Sequence, residues 1–163
     1  METTRTKEYK KLGFKEADVK PLVKALNILS ANYHVHYQKL RNYHWNVKGG
    51  DFFDIHEKFE AQYDKAKENI DEIAERVRVY GETPVSTMKE FLEMSEIKET
   101  GTDLKAHDMV MEIKKDMEIL DGFMYNAIDA AIEAGDSALE DMLKSFVADL
   151  EKDHWMWSAF LSN

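Results

Sequence analysis

The sequence predicts an all-α protein: a four-helix bundle with a short extra helix in its middle connection. Apolar residues recur at spacings of three and four through four long stretches. Only two prolines and seven glycines punctuate 163 residues. The stop signals fall between the stretches, at Gly49-Gly50, at Gly81 with Pro84, and at Gly135.

Residues 1–16 are polar and lack an apolar period, so they are expected to form a mobile tail ahead of one domain spanning 17–163. Over residues 1–15, Arg5, Lys7, Lys10, Lys11 and Lys15 stand against Glu2 and Glu8, a net +3. The first long helix is predicted to start near Asp18, with Pro21 in its first turn, and to run to Gly49. Its stripe is Leu22, Leu26, Leu29, Tyr33, Tyr37, Leu40 and His44. The second spans about Asp51 to Tyr80, with Ile55, Phe59, Tyr63, Ala66, Ile70, Ile73 and Val77 as its stripe. Thr87-Met-Lys-Glu90 has the form of a capping box and should open a short helix near 88–95. The third long helix runs from near Thr102 to Gly135. Ser137-Ala-Leu-Glu140 reads as a second capping box, opening a fourth helix that carries Leu139, Leu143, Phe146, Leu150, Trp155 and Phe160. Short links make helices one–two and three–four antiparallel pairs. The middle link, roughly 20 residues, is long enough to cross the bundle from end to end.

Composition narrows the chemistry. With no cysteine, disulfides, thiolate metal sites and thiol catalysis are excluded. Any metal must sit on imidazole, carboxylate or carbonyl donors, which suit iron, manganese or zinc. A formal charge of −10 is the opposite of a duplex-binding surface. No apolar run reaches the roughly 20 residues that span a bilayer, and the first residues lack a secretory apolar segment, so the cytoplasm is the expected location.

His44 lies on the first stripe. His56 and Glu60 are four apart early in the second helix, and Asp71 and Glu75 are four apart later in it. At about 100° per residue, with His56 at zero, Glu60 falls near 40°, Asp71 near 60° and Glu75 near 100°. The four share one side of the helix. His56 and Asp71 nevertheless stand about 22 Å apart along the axis, too far to meet on one ion. A second copy crossing antiparallel near residues 65–66 would bring His56 and Glu60 of one chain against Asp71 and Glu75 of the other, twice per dimer. Tyr63 and Lys67 would then face the axis. On spacing alone, a core histidine beside a solvated acidic face fits these residues as well.

The words around them add information. Tyr43-His44-Trp45-Asn46-Val47-Lys48-Gly49, then Phe53-Asp54-Ile55-His56-Glu57-Lys58-Phe59-Glu60, then Asp71-Glu72-Ile73-Ala74-Glu75-Arg76, resemble the signature of the Dps family, the miniferritins of the ferritin-like superfamily. The resemblance covers nearly the whole chain beyond the tail. It implies a ferritin-like bundle and a ferroxidase that stores iron and protects against oxidative stress. It implies a di-iron site with His44, His56 and Glu60 from one subunit and Asp71 and Glu75 from its two-fold mate. It implies ferrous iron and hydrogen peroxide as reactants, dioxygen as a slower oxidant, and a ferric oxide mineral inside a dodecameric shell. The family usually has Asp where this chain has Glu60, which puts affinity and iron–iron distance in question. Trp45, beside His44, is a candidate to absorb a stray oxidising equivalent, or equally a core aromatic. By position, Asp141, Asp149 and Glu151 are candidates to line an iron entrance.

Three alternatives remain at this stage. An intrasubunit di-iron site needs Glu-x-x-His on two helices, and only Glu151-Lys-Asp-His154 fits. A non-catalytic helical scaffold would carry its histidines incidentally. A DNA-coating protein would rely on the weakly basic tail acting through avidity.

Overall fold

The computed structural model describes residues 8–162, and among these the chain is all-α: α1 (Glu8–Lys11), α2 (Glu16–Asn46), α3 (Phe52–Val79), α4 (Met88–Met94), α5 (Ala106–Ala134) and α6 (Ser137–Phe160). Residues 1–7 of the segment read as a tail lie outside the described residues. Helix α2 packs against α3 and α5, α5 against α6, and α4 lies on α2. Side chains close the ring between α3 and α6: the Trp157 indole donates to Gln62 Oε1 at 3.1 Å and sits 5.4 Å from the Phe59 ring. The bundle order is therefore α2–α3–α6–α5, with the long connection carrying α4 between the two antiparallel pairs. No helix among the described residues is long and apolar enough to cross a membrane.

The helix ends show where local chemistry governs. Helix α2 starts at Glu16, so Pro21 sits inside it, beyond the first turn. Ahead of it, Phe14 packs edge-on against Tyr80 and beside Arg76. The capping box at Thr87 forms as expected, with the Thr87 side chain taking the Glu90 N–H and the Glu90 carboxylate the Thr87 N–H. Helix α6 is capped differently from the expectation at Ser137: Asp136 is the N-cap and accepts from the Leu139 N–H at 3.0 Å. Asp136 wins because its carboxylate is buried and also takes hydrogen bonds from the Arg76 guanidinium and the Tyr80 hydroxyl. Burial opposes its charge, yet those donors together hold its pKa below the usual value. Gly135 precedes it at φ 69°, a left-handed conformation that lets the Asp136 N–H reach Ala131 O. Helix α5 starts at Ala106 rather than near Thr102, because residues 100 and 101 are drawn onto α2 by Tyr43 Oη–Thr100 Oγ1 (2.6 Å) and Asn42 Nδ2–Gly101 O (3.2 Å).

The middle connection is pinned by one buried amide. Asn32 Oδ1 accepts from the Ser95 hydroxyl and from the N–H groups of Glu96 and Ile97, at 3.0–3.1 Å. His34, two residues along, stacks on Phe91 of α4 with ring centroids 3.6 Å apart. Burial lowers its pKa to about 4. An unfolded histidine takes its proton near pH 6.5, so between these values the unfolded state binds more protons and stability rises with pH. Denaturant midpoints are therefore expected to fall as pH drops from about 6.5 towards 5, above the carboxylate range. His34→Phe should flatten that slope, and an unchanged slope in the variant would exclude this histidine as its source.

Candidate metal centre

Two helices meet at the His44–His56 pair. His44 sits in the last turn of α2 and is 8% exposed; His56 sits in the second turn of α3 and is half-buried. Residues 47–51 make the turn that brings them together, opened by Val47, whose N–H bonds back to Tyr43 O at 2.9 Å. The two rings stack with centroids 3.7 Å apart. Each is tied to the other's backbone: His44 Nδ1 donates to His56 O at 2.8 Å, and His56 Nδ1 donates to His44 O at 2.7 Å. A carbonyl can only accept, so both Nδ1 atoms carry the proton. In the neutral rings, both Nε2 atoms then keep their lone pairs for a ligand.

Aromatic neighbours hold the rings in place. Phe52 stacks on His56 at 4.9 Å, and Tyr63 meets His44 edge-on at 5.3 Å. The Tyr63 hydroxyl lies 3.4 Å from Glu60 Oε1. Loss of solvation, reinforced by Glu60 and Asp64, raises the Tyr63 pKa, so this phenol remains a donor at neutral pH.

The other expected residues lie elsewhere. Glu60, Asp71 and Glu75 are all exposed, and Asp71 and Glu75 stand far along α3 from the histidines. Among the described residues of this one chain, no three His, Asp or Glu side chains converge on a metal position. Trp45 is 57% exposed, with the Arg41 guanidinium 4.8 Å over its ring, so within the chain it is not a core aromatic. Asp141, Asp149 and Glu151 are exposed on α6: Asp149 pairs with Lys65 at 3.5 Å and Glu151 accepts from Tyr125 at 3.4 Å. At about 100° per residue they spread over roughly 160° of that helix. His154 of the lone Glu-x-x-His word lies 3.0 Å from Glu118 Oε1, and this contact lowers the Glu118 pKa.

Sequence reasoning missed a buried polar seam. Lys39 is 2% exposed, and its Nζ contacts the Asp116 carboxylate at 2.8 Å and Glu112 at 3.2 Å. His36 Nδ1 stands 3.5 Å from Asp116. On α3 the buried positions between Phe59 and Ile73 are Gln62, Ala66 and Asn69, whereas Tyr63 and Ile70 are half-buried. The signal was available, since Gln62 and Asn69 continue the alternating four–three spacing, but a search for apolar letters alone passes over them.

Comparison with known proteins follows from this geometry. Residues 23–163 match the model of the ferritin-like domain. The chain is 46% identical over 136 residues to the DNA protection during starvation protein of Brevibacillus brevis, covering 83% of this chain and 91% of that one. Dps from Staphylococcus aureus superposes with a TM-score of 0.85 at 41% identity, over 92% of this chain and 99% of the other. The Dps protein of Vibrio cholerae O1, described as a member of a broad superfamily of ferritin-like diiron-carboxylate proteins, gives 0.88 at 31% identity, over 91% and 94%.

Proposed function

This chain belongs to the Dps family of ferritin-like proteins, and from that membership we propose that it is a cytoplasmic ferroxidase and iron store. Ferrous iron is the substrate, hydrogen peroxide the favoured oxidant and dioxygen the slower one, and ferric mineral is kept in a hollow dodecameric shell that limits oxidative damage. The observation that supports this proposal is the reciprocal locking of His44 and His56, which leaves two Nε2 lone pairs for a ligand. A structural histidine pair gains nothing from holding both outer nitrogens free. A metal-binding pair requires it.

His44, His56 and Glu60 form one half of the site, and Asp71 and Glu75 of the two-fold mate form the other. Imidazole with carboxylate suits ferrous iron and leaves positions open to an oxidant. Two ferrous ions each give up one electron, peroxide takes both, and with two protons it leaves as two waters. Pairing the electrons avoids a one-electron step that would release hydroxyl radical. Glu60 has one methylene more than the family's usual Asp, so its longer reach would bear on the affinity for iron and on the spacing of the two ions. Trp45, exposed and next in sequence to His44, would absorb a stray oxidising equivalent. Asp141, Asp149 and Glu151 remain candidates for an entry path.

Anaerobic ferrous titration followed by peroxide tests the proposal. Saturable binding is expected, with about one peroxide consumed per two irons and a soluble ferric product. Absence of binding above buffer would return the chain to a helical scaffold. DNA association is a second proposal, favoured by the name of the B. brevis relative and opposed by the −10 charge. A mobility shift lost on raising salt would support it.

A further inference from the structure

A pocket of about 30 Å³, open to solvent on one side, lies between α2, α3, α5 and α6. Tyr33 and His36 line it from α2, and Gln62, Ala66 and Asn69 from α3. On the solvent side lie Lys65 and Asp149, paired at 3.5 Å. Gln62, Asn69 and His36 are each more than nine-tenths buried. All three carry a polar atom without a hydrogen-bond partner: Gln62 Nε2, Asn69 Oδ1 and His36 Nδ1. His36 Nδ1 faces the Asp116 carboxylate at 3.5 Å, so the unpaired Gln62 and Asn69 atoms, each costly to bury without a partner, are the two that call for a ligand.

The partners already fixed decide which ligand. Gln62 Oε1 accepts from the Trp157 indole, so the amide leaves its N–H side free. Asn69 Nδ2 donates to the Tyr33 hydroxyl at 3.2 Å, so that amide leaves its carbonyl free. One donor and one acceptor therefore remain. A cation would face the Gln62 N–H groups, and an anion would face Asn69 Oδ1. Water satisfies both at once. A metal-binding bundle core needs carboxylates projecting inward, whereas here the buried groups are neutral amides and the rim carboxylates Asp149 and Asp153 are paired with Lys65 and Lys58.

We propose that the floor of this pocket is an ordered water site. One or two waters accept from Gln62 Nε2 and donate to Asn69 Oδ1. They also solvate the His36 edge of the Lys39–Asp116 ion pair. The volume fits, at about 10–15 Å³ per water centre, and so does the polar lining. The waters bridge α2 to α3 at mid-bundle, below the histidine pair, and exclude metal from the interior. The inference is independent of whether the chain oxidises iron.

Two measurements test it. In crystals of the full-length assembled protein, grown without and with zinc, water density is expected within about 2.7–3.2 Å of Gln62 Nε2 and of Asn69 Oδ1, from one shared water or two linked ones. An empty cavity, or a metal ion in it, overturns the proposal. Ala66→Leu fills the space with carbon. Deuteron relaxation dispersion should then count about one or two fewer long-lived waters per chain. The thermal midpoint should also fall rather than rise, because the amides lose their ligand. A water count equal to wild type overturns the proposal whatever the midpoint does. If the variant does not fold, the wild-type crystals still decide.

Discussion

Chains carrying His44→Gly with His56→Gly, and chains carrying Asp71→Ala with Glu75→Ala, should each be nearly inactive alone and regain activity when mixed. Each variant spoils every site in its own homodimers, because in the proposed site the histidines come from one subunit and the later carboxylates from the other. In a mixed dimer, one site receives intact histidines from one chain and intact carboxylates from its mate, while the second site receives neither. Random pairing makes half of the dimers mixed, so about a quarter of all sites should be whole. Peroxide-driven iron oxidation should therefore recover to about a quarter of wild type, against a loss of roughly 100-fold in either parent. Unfolding, mixing and refolding at a fixed total concentration supply the sample, and mass spectrometry confirms the mixed dimers. Confirmed mixed dimers with parental activity would mean that the site does not cross between subunits. The separation along α3 leaves no single-chain route to the same result, since His56 and Asp71 are about 22 Å apart on one rigid helix.

The architecture was legible because it rests on period and punctuation. Four stripes with a spacing of three and four, broken by glycine, become α2, α3, α5 and α6, and the Thr87–Glu90 capping box opens α4 where expected. Helix ends were less legible where tertiary contacts outrank local signals. Ser137 has the letters of a cap, but Asp136 has Arg76 and Tyr80 to hold its carboxylate, and a cap with buried partners prevails over one facing water. Nothing near Thr102 announces that Tyr43 and Asn42 will hold residues 100 and 101 out of α5.

Half of the candidate site is a local matter. His44 and His56 are twelve residues apart across a tight turn, so the connection that pairs α2 with α3 also stacks their rings. Their mutual Nδ1–carbonyl bonds lay beyond any spacing rule, because they depend on the path of the backbone between the helices. Asp71 and Glu75 could be placed on one face with His56 by angle, but a face finds a partner only through symmetry. The buried seam was hidden for a different reason. Lysine, aspartate, glutamine and asparagine are ordinarily surface residues, and only the facing helix reveals that Lys39 and Asp116 answer each other.

That seam carries the largest expected effect on stability. Lys39→Met should destabilise the folded chain by about 3–5 kcal/mol, because it leaves the Asp116 carboxylate in the core without its cation. Methionine fills nearly the same space, so a cavity is not the cause. Glu112, partly open to solvent, can turn to water, whereas Asp116 at 2% exposure cannot. The double variant Lys39→Met/Asp116→Leu removes both charges and should recover most of the loss, to within about 1–2 kcal/mol of wild type. The coupling energy from this cycle, measured by denaturant unfolding at one fixed protein concentration, separates the attraction of the pair from the penalty of an orphaned charge. A single variant within about 1 kcal/mol of wild type would show that Asp116 sheds its charge or finds another partner, with His36 at 3.5 Å the nearest candidate. Lys39 lies on α2 little more than one turn before His44, and Asp116 lies on α5, so the pair also fixes the register of the helix that presents the first histidine. Lys39→Met should therefore weaken ferrous binding at His44 as well as stability, and the double variant, with its register held by packing alone, should restore stability more fully than affinity.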